Sequence, residues 1–258
     1  MRFDVVTIFP ELFAPHLEHG ITRRAFGSLR VDLRLWPLRD FADDAYRRVD
    51  DRPYGGGPGM VMLAEPLLRA VDAIRADRAA AAETVPVPVV HFTPTGTPLT
   101  QTHVAEFARG DGAILVCGRY EGVDQRFIDA RVTHEISLGD YVLSGGELPA
   151  LVLLDAVARL QEGVLTATSH EQESFSDGLL EAPCYSRPEV LTCGRGDMSA
   201  HVVVPATLLS GHHRSIARWR RERSLELTAR LRPDLLARAR AEGRLDHDDE
   251  QYLRSLGL

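Results

Sequence analysis

Short apolar runs alternate with helical patterns along the first 165 residues. Runs rich in β-branched and aromatic residues predict strands at Phe3 to Phe9, Val31 to Trp36, Pro88 to Phe92, Ala113 to Cys117 and Glu135 to Leu138. Amphipathic spacing predicts helices over Glu65 to Ile74, Thr100 to Phe107 and Leu148 to Leu160. Strands that alternate with helices form a parallel sheet covered by helices, so the pattern predicts an α/β fold.

Loops that contain glycine follow the third, fourth and fifth predicted strands. They are Thr93 to Pro98, Gly118 to Gly122 and Leu138 to Pro149. Each loop taken singly is better explained as a tight turn. Ligands of open parallel sheets bind beyond the carboxyl ends of the strands, so the three loops together predict one pocket.

The third of these loops lacks the cation that most phosphate-binding loops carry. Between Leu138 and Pro149 it has two carboxylates, Asp140 and Glu147, and no basic residue. The composition of the loop therefore predicts a backbone wrap around a ligand that is neutral or positively charged.

The apolar periodicity is lost near residue 165 and resumes in a second unit. We predict a domain over 1–165, a linker over 166–176 and a smaller, mostly helical domain over 177–258. In the second domain Pro233 is expected to open a helix. The segment from Thr192 to Met198, which is rich in turn residues, is predicted to be a surface loop.

Composition and charge narrow the classes of function. The chain has a net charge of -7 and 44% hydrophobic residues, which is typical of a globular protein and not of a generally basic nucleic-acid binder. Its longest apolar stretch, Leu148 to Leu154, is far shorter than the roughly 20 residues that span a membrane. Without a signal-peptide pattern, a cytoplasmic protein is expected. Reduced thiols are predicted at Cys117, Cys184 and Cys193.

All 30 basic residues are Arg, because the sequence contains no Lys. Ten of them lie between Gly211 and Arg244, together with four acidic residues. Arg side chains bind phosphates and stack on bases, so this segment is a candidate RNA or DNA surface. A solvated helical face in a protein without Lys explains the segment equally well.

A further glycine-rich segment, Arg52 to Met60, has four glycines and two prolines between Pro53 and Gly59. These residues impose a backbone shape that few side chains tolerate. Carboxylates precede it at Asp43, Asp44, Asp50 and Asp51. Their spacing is not that of a calcium loop, so a solvated acidic rim is favoured and no metal site is predicted.

Three ordered motifs resemble the bacterial tRNA (guanine-N1)-methyltransferases. They are Asp50 to Met60, Val116 to Gly122 and Gly139 to Pro149, and weaker matches at Tyr185 to Val190 and Leu208 to Gly211 extend the similarity through almost the whole chain. The resemblance implies methyl transfer from S-adenosylmethionine to N1 of the guanine directly 3′ of the anticodon. It also implies a SPOUT-type parallel sheet with a deep trefoil knot, a homodimer with a shared active site, and use of Mg2+, for which the sequence offers no convincing ligand set.

The resemblance assigns the cofactor to the three loops at the strand ends. The expected contacts are Pro94, Gly96, Gly118, Glu121, Leu138, Gly139, Asp140, Tyr141, Val142, Leu143, Gly145 and Gly146. Backbone groups of Leu138, Tyr141 and Leu143 would bind the adenine edge. A sulfonium cation without phosphate agrees with a loop that carries carboxylates and no cation.

The implied reaction needs a base and a positive charge. N1 of guanine carries a proton with a pKa of about 9, which must be removed while charge on O6 is stabilised. By resemblance, Arg159 supplies the charge, although an i,i+4 ion pair with Asp155 also explains this residue. The implied base is Glu173, which precedes Ser174–Phe175 where the family has Asp, in a linker one residue shorter. Asp177 is the alternative base.

The resemblance places tRNA on the second domain. Arg214, Arg218 and Arg220 are expected to bind the anticodon stem, with an affinity that falls steeply as salt rises. Two further residues depart from the family pattern: His91 and His212 stand where a Tyr and an Asn are often found.

Two other functions remain open from the sequence. A non-catalytic RNA-binding protein on the same scaffold would be expected to have lost Arg159 or the three loops, and this chain retains both. A related RNA 2′-O-methyltransferase is the other alternative, although the segment Asp51 to Met60 fits it poorly.

Overall fold

The computed structural model describes residues 1–27, 30–165, 173–195 and 198–258, without the side chains of 193–200. The chain folds into two compact units, Met1–Thr166 and Ala167–Leu258. Most of the predicted linker, 166–172, lies outside the described residues. No helix in the described ranges has both the length and the apolar character that a membrane crossing requires.

The first unit is built on a five-stranded sheet in the order β2-β1-β6-β5-β7. The strands of the unit are β1 (Arg2–Thr7), β2 (Asp32–Pro37), β3 (Asp50–Asp51), β4 (Val61–Met62), β5 (Val89–Pro98), β6 (Gly112–Val116) and β7 (His134–Ser137). Every pair in the main sheet is parallel, whereas β3 and β4 form a separate antiparallel pair. The predicted α/β fold with a parallel sheet is therefore confirmed.

Helices cover both faces of this sheet. They are α1 (Ala14–Glu18), α2 (Arg23–Gly27), α3 (Ala64–Ala80), α4 (Gln101–Arg109), α5 (Gln125–Arg131) and α6 (Glu147–Ala158), with 3-10 turns at Pro10–Leu12 and Leu38–Phe41. Alternate residues of β1 point to opposite faces: Phe3 belongs to the apolar cluster that contains Leu153 of α6, and Val6 to the cluster that contains Ile74 of α3. Both faces are thus buried, which explains the nearly continuous apolar strands.

The predicted loop Thr93 to Pro98 is wrong, because β5 continues to Pro98. The pairing of β5 with β7 shifts register between Phe92 and Thr97, and a proline is tolerated at such an irregularity. A Cβ added at Gly96 would lie 2.5 Å from the carbonyl carbon of Glu135, so glycine allows the two backbones to approach. The residues from Thr93 to Pro98 therefore form an irregular part of a strand and not a loop.

The second unit begins with a hairpin and continues with helices. Its elements are β8 (Val190–Arg195), β9 (Met198–Val203), α7 (Ala206–Leu209), α8 (His213–Leu231), α9 (Pro233–Ala241) and α10 (His247–Ser255). Its core contains Leu179, Leu225, Leu236, Ala239 and Leu253. The predicted helix start at Pro233 is confirmed, but the predicted loop Thr192 to Met198 is wrong, because β8 and β9 pair antiparallel through it. Residues 196–197 lie outside the described residues.

A buried charge cluster holds β1 to its surroundings. Asp4, which is fully buried, accepts hydrogen bonds from Arg2 Nη2 (2.6 Å), Trp36 Nε1 (2.9 Å) and Arg78 Nε (2.7 Å). Arg2 also contacts Asp77 at 2.7 Å. Each donor comes from a different element or from the strand itself, so one carboxylate joins β1, β2 and α3.

Candidate functional site

One cavity lies at the carboxyl ends of β5, β6 and β7. Residues from all three predicted cofactor loops line it: Pro94, Gly118, Glu121, Leu138, Gly139, Tyr141, Val142, Leu143, Gly145 and Gly146. Two residues with the same predicted role, Gly96 and Asp140, are not among its lining residues. Gly96 is instead placed against the β7 backbone.

Glycines allow the loops of this cavity to touch. The backbone N–H of Gly146 donates to the carbonyl oxygen of Gly118 at 2.8 Å. A Cβ at Gly146 would lie 2.7 Å from Cα of Cys117, and one at Gly118 would lie 2.9 Å from Cε1 of His91. Neither glycine has a positive φ. Glycine is therefore required at these two positions because neighbouring atoms leave no room for a Cβ. The backbone conformation itself would allow other residues.

Glu147 lies in the first turn of α6 and joins two of the loops. It is 1% exposed, and it accepts hydrogen bonds from Thr7 Oγ1 and from Arg119 Nε, both at 2.8 Å. The Arg119 guanidinium also donates to the carbonyl oxygen of Ser144 at 3.1 Å and lies 4.6 Å from the centre of the Phe9 ring. The negative charge of Glu147 is therefore neutralised by Arg119 within the protein.

Replacing Glu147 by Gln is expected to destabilise the first unit by about 2 kcal/mol, since it removes a charged hydrogen bond and leaves Arg119 partly buried without its carboxylate. The loop from Leu138 to Pro149 should become more mobile in this variant. Urea denaturation measures the change. Asp140→Asn, which alters an exposed carboxylate of the same loop, is the control and should leave the free energy of unfolding unchanged. Equal stabilities of the two variants would contradict the linking role of Glu147.

A buried thiol that stays protonated, Cys117, directly precedes the cavity-lining Gly118. Burial raises the pKa of Cys117 well above its usual value, and the negative charge of Glu147 adds to this effect, whereas Arg119 opposes it. Cys117 and Cys184 are both free, which confirms the prediction of reduced thiols for these two residues. The side chain of Cys193 lies outside the description.

His91 lines the cavity from β5 and is only 6% exposed. Its Nδ1 atom is buried and has no hydrogen-bond partner. Burial lowers the pKa of His91, while Glu135 and the Val116 carbonyl group oppose the shift. The imidazole is therefore neutral near pH 7. Sequence reasoning noted this residue only as a departure from a family pattern and did not assign it to the site.

The segment from Arg52 to Met60 lies directly behind Glu121. The backbone N–H of Glu121 donates to the Met60 carbonyl oxygen at 2.9 Å. Gly59 has φ +74, and a Cβ there would lie 2.3 Å from Oε1 of Glu121. Sequence reasoning recognised the fixed backbone shape of this segment but not its contact with the cavity, because the contact depends on residues about sixty positions apart.

Two of the four acidic residues before this segment pair with arginines. Asp43 lies 2.7 Å from Arg69, and Asp44 lies 3.4 Å from Arg48. Within the described ranges, no group of three His, Cys, Asp or Glu side chains is placed to hold a metal ion.

Arg159 caps the C-terminus of α6 in the first unit and is partly exposed. Its backbone N–H donates to the Asp155 carbonyl oxygen at 3.1 Å. The Asp155 carboxylate lies 3.8 Å from Nε2 of His16, and in the described structure it forms no ion pair with Arg159. The alternative explanation of Arg159 as the i,i+4 partner of Asp155 is therefore not supported.

The two candidate bases belong to the second unit. The Glu173 carbonyl oxygen accepts from the backbone N–H of Ser176 at 3.2 Å and from its hydroxyl at 2.6 Å. Asp177 forms an ion pair with Arg221, which also contacts the buried Asp249 at 2.7 Å. The Asp177 carboxylate is therefore held in a structural network.

The three predicted RNA-binding arginines have different surroundings on α8. Arg218 donates to Glu222 at 2.9 Å and to the Asp248 carbonyl oxygen at 2.9 Å, so it links α8 to α10. Arg214 and Arg220 are exposed, and neither pairs with an acidic side chain in the described parts of the chain. These two guanidinium groups are the more available for an anionic ligand.

Known proteins of one family match this chain along almost its whole length. Residues 1–238 match the family model described as tRNA (Guanine-1)-methyltransferase TrmD. A protein of Methylibium petroleiphilum named tRNA (guanine-N(1)-)-methyltransferase is 68% identical over 257 residues, covering 99% of this chain and 98% of its own. Proteins with the same name from Leptothrix cholodnii and Paracidovorax citrulli are 63% and 59% identical, over 100% and 99% of this chain and 100% and 98% of theirs. The chain therefore belongs to the tRNA (guanine-N1)-methyltransferase family.

Proposed function

We propose that this protein transfers a methyl group from S-adenosylmethionine to N1 of the guanine directly 3′ of the anticodon in tRNA. The observation that carries the proposal is a cavity lined by the irregular part of β5 and by the loops that follow β6 and β7, in a chain of this family. The carboxyl edge of the sheet is where open α/β sheets bind small ligands.

The chemistry of the cavity fits a cofactor with a positive sulfonium and no phosphate. Much of its wall is glycine and backbone, and its Arg119 is neutralised by Glu147. When bound, S-adenosylmethionine supplies an electrophilic methyl group. The proposed contacts are the ten predicted residues that line the cavity; Gly96 and Asp140 are left out of this set.

Glu173 is the proposed base that takes the proton from N1 of guanine, and Arg159 is the proposed cation for the charge on O6. Asp177 is the weaker candidate for the base, because its carboxylate is already paired with Arg221. Arg159 belongs to the first unit and Glu173 to the second. The family resemblance supports the proposal that two copies of the chain share each active site.

Exposed apolar residues support a homodimer through α6. Leu148 and Val152 are 53% and 47% exposed, and they lie four residues apart on one face of the helix. Phe9 and Leu12, which are also about half exposed, lie near the same helix, because Thr7 donates to Glu147. Exposed apolar side chains on one element are typical of an interface with another protein chain.

The path of the chain after β7 supports the SPOUT-type knot. In the sheet order, β5 separates β7 from β6. The loop that leaves β7 nevertheless returns to the end of β6, where Gly146 contacts Gly118. A connection that crosses a neighbouring strand in this way is what a trefoil knot would require, in contrast to the usual unthreaded connection.

The second unit is the proposed tRNA-binding domain, joined by the linker over 166–176. Arg214 and Arg220 are exposed guanidinium groups suited to phosphate contacts. Arg218 would contribute less, because Glu222 and Asp248 already hold it.

Incubating the protein with tritiated S-adenosylmethionine and two tRNAs tests the function. The tRNAs carry G or A at the position 3′ of the anticodon and are otherwise identical. Label is expected only in the G-containing tRNA, and digestion to nucleosides should place it on the base. Label on a ribose would favour the 2′-O-methyltransferase, and no label in either tRNA would favour a non-catalytic RNA-binding protein.

A further inference from the structure

We infer that the first unit carries a phosphate-binding surface formed by Arg23, Arg24 and Arg30, and that this surface binds the ribose-phosphate backbone of the tRNA. These three residues are called the α2 arginine cluster. The inference rests on the proposed function, because that function makes tRNA the substrate. It adds a contact in the first unit to a tRNA surface that was so far placed on the second unit.

The first observation is a cavity between α2 and the chain that follows α6. The described residues that line it are Arg23, Arg24, Gly27, Arg30, Gly163 and Val164. Half of them are Arg and none is acidic, although acidic residues outnumber basic residues in the sequence by 37 to 30. A local excess of positive charge in an acidic protein is typical of a surface that binds an anion.

The second observation is that two guanidinium groups lie against the same short segment. Arg24 Nη1 donates to the Val164 carbonyl oxygen at 3.4 Å. Arg30 lies beside Gly163, where an added Cβ would be 3.7 Å from Nη2 of Arg30. Side chains from α2 and from the approach to β2 therefore converge on the chain after α6.

The positive charge of the cluster is only partly compensated. Arg30 lies 3.6 Å from a carboxylate oxygen of Glu162, but that carboxylate is 92% exposed, so water screens the pair. Arg23 is exposed, and no acidic side chain in the described part of the chain forms an ion pair with it. Arg23 and Arg30 therefore keep positive charge that an anionic ligand can use.

The chemistry of Arg and the place of the cluster select the tRNA backbone as the ligand. The planar guanidinium group binds phosphate oxygens well, and phosphate contacts position a nucleic acid whatever its sequence. Gly163 follows the proposed catalytic Arg159 by four residues, which span at most about 14 Å of chain. A tRNA whose target guanine reaches Arg159 therefore brings its backbone phosphates close to the cluster.

Replacing Arg23 and Arg30 together by Gln tests the inference. Arg24 is left unaltered, because its contact with Val164 holds the chain after α6. Fluorescence anisotropy with labelled tRNA should show about tenfold weaker binding, as expected for the loss of hydrogen bonds to a charged group. The slope of log affinity against log salt concentration should become shallower by about one, the value expected for one phosphate contact.

Arg75→Gln/Arg109→Gln is the matched control. It makes the same change of charge at two exposed Arg residues of the first unit that do not line the cavity. Its tRNA affinity and salt slope should stay close to those of the unaltered protein. In Arg23→Gln/Arg30→Gln, binding should weaken equally for the tRNAs with G and with A 3′ of the anticodon, because phosphates carry no sequence information.

Two results with tRNA would overturn the inference. They are equal tRNA affinities in the two double variants, and a weakening that is confined to the G-containing tRNA. Calorimetry with inorganic phosphate tests the other source of the same chemistry. Micromolar phosphate binding that is lost in Arg23→Gln/Arg30→Gln, with unchanged tRNA affinity, would make the cluster a site for a free ion and would also overturn the inference.

Failure of the proposed function is distinguishable from failure of this inference. If the unaltered protein bound both tRNAs without transferring label, the proposed reaction would be wrong, and the affinities of the two double variants would still decide the role of the cluster. If the unaltered protein bound neither tRNA, both proposals would be wrong.

Discussion

Replacing Glu173 by Gln is expected to lower the single-turnover rate of methyl transfer by about 10²- to 10⁴-fold, the usual contribution of a general base. The amide keeps the shape of the side chain but cannot accept the N1 proton. The rate should be measured with saturating S-adenosylmethionine and tRNA, so that weaker binding does not contribute. Affinity for tRNA, measured separately, should change little.

Asp177→Asn is the matched control for this experiment. Its carboxylate pairs with Arg221, so its loss is expected to reduce stability by no more than about 1 kcal/mol and to leave the rate near normal. A near-normal rate in Glu173→Gln together with a large loss in Asp177→Asn would transfer the role of base to Asp177. Weak tRNA binding that accounts for the whole loss in Glu173→Gln would make this residue a binding group.

Asp4→Ala is expected to destabilise the first unit by about 3–5 kcal/mol, which is the usual cost of removing one partner of a buried ion pair. The fully buried carboxylate accepts from Arg2, Trp36 and Arg78. Without it, two nearly buried guanidinium groups lose their main counter-charge. Urea denaturation monitored by Trp fluorescence and by circular dichroism measures the loss.

Asp77→Asn provides the comparison for Asp4→Ala. A side-chain hydrogen bond from Arg2 is the largest cause that lowers the pKa of Asp77, with burial opposing, so this carboxylate is ionised near pH 7. It is 39% exposed, and water screens its pairs with Arg2 and Arg34. A clearly smaller loss than that of Asp4→Ala is expected. If Asp4→Ala cost no more than Asp77→Asn, the buried cluster would not be what holds β1.

Local patterns predicted most of the sheet because burial on both faces leaves a signature in the sequence. Runs such as Ala113 to Cys117 are apolar throughout, and β6 is found there over Gly112–Val116. The same reasoning misread Thr93 to Pro98 and Thr192 to Met198. Proline and glycine favour turns locally, but pairing with a neighbouring strand supplies hydrogen bonds that override this preference.

The candidate site was predictable as a set of loops but not as a set of roles. The order of strands and glycine-bearing loops led to one cavity, and ten predicted residues line it. The role of Glu147 could not be read from the loop, because its partners Thr7 and Arg119 come from other parts of the chain. The same holds for Gly59 behind Glu121.

The sequence by itself determined the parallel α/β architecture and the family, because strand periodicity and ordered motifs are local properties of the chain. Only the tertiary structure decided which charges are available to a ligand. Glu147 is neutralised by Arg119, Asp177 is held by Arg221, and His91 keeps a buried nitrogen without a partner. The physical reason is that the pairing and burial of a side chain depend on contacts between residues distant in sequence, which no local pattern records.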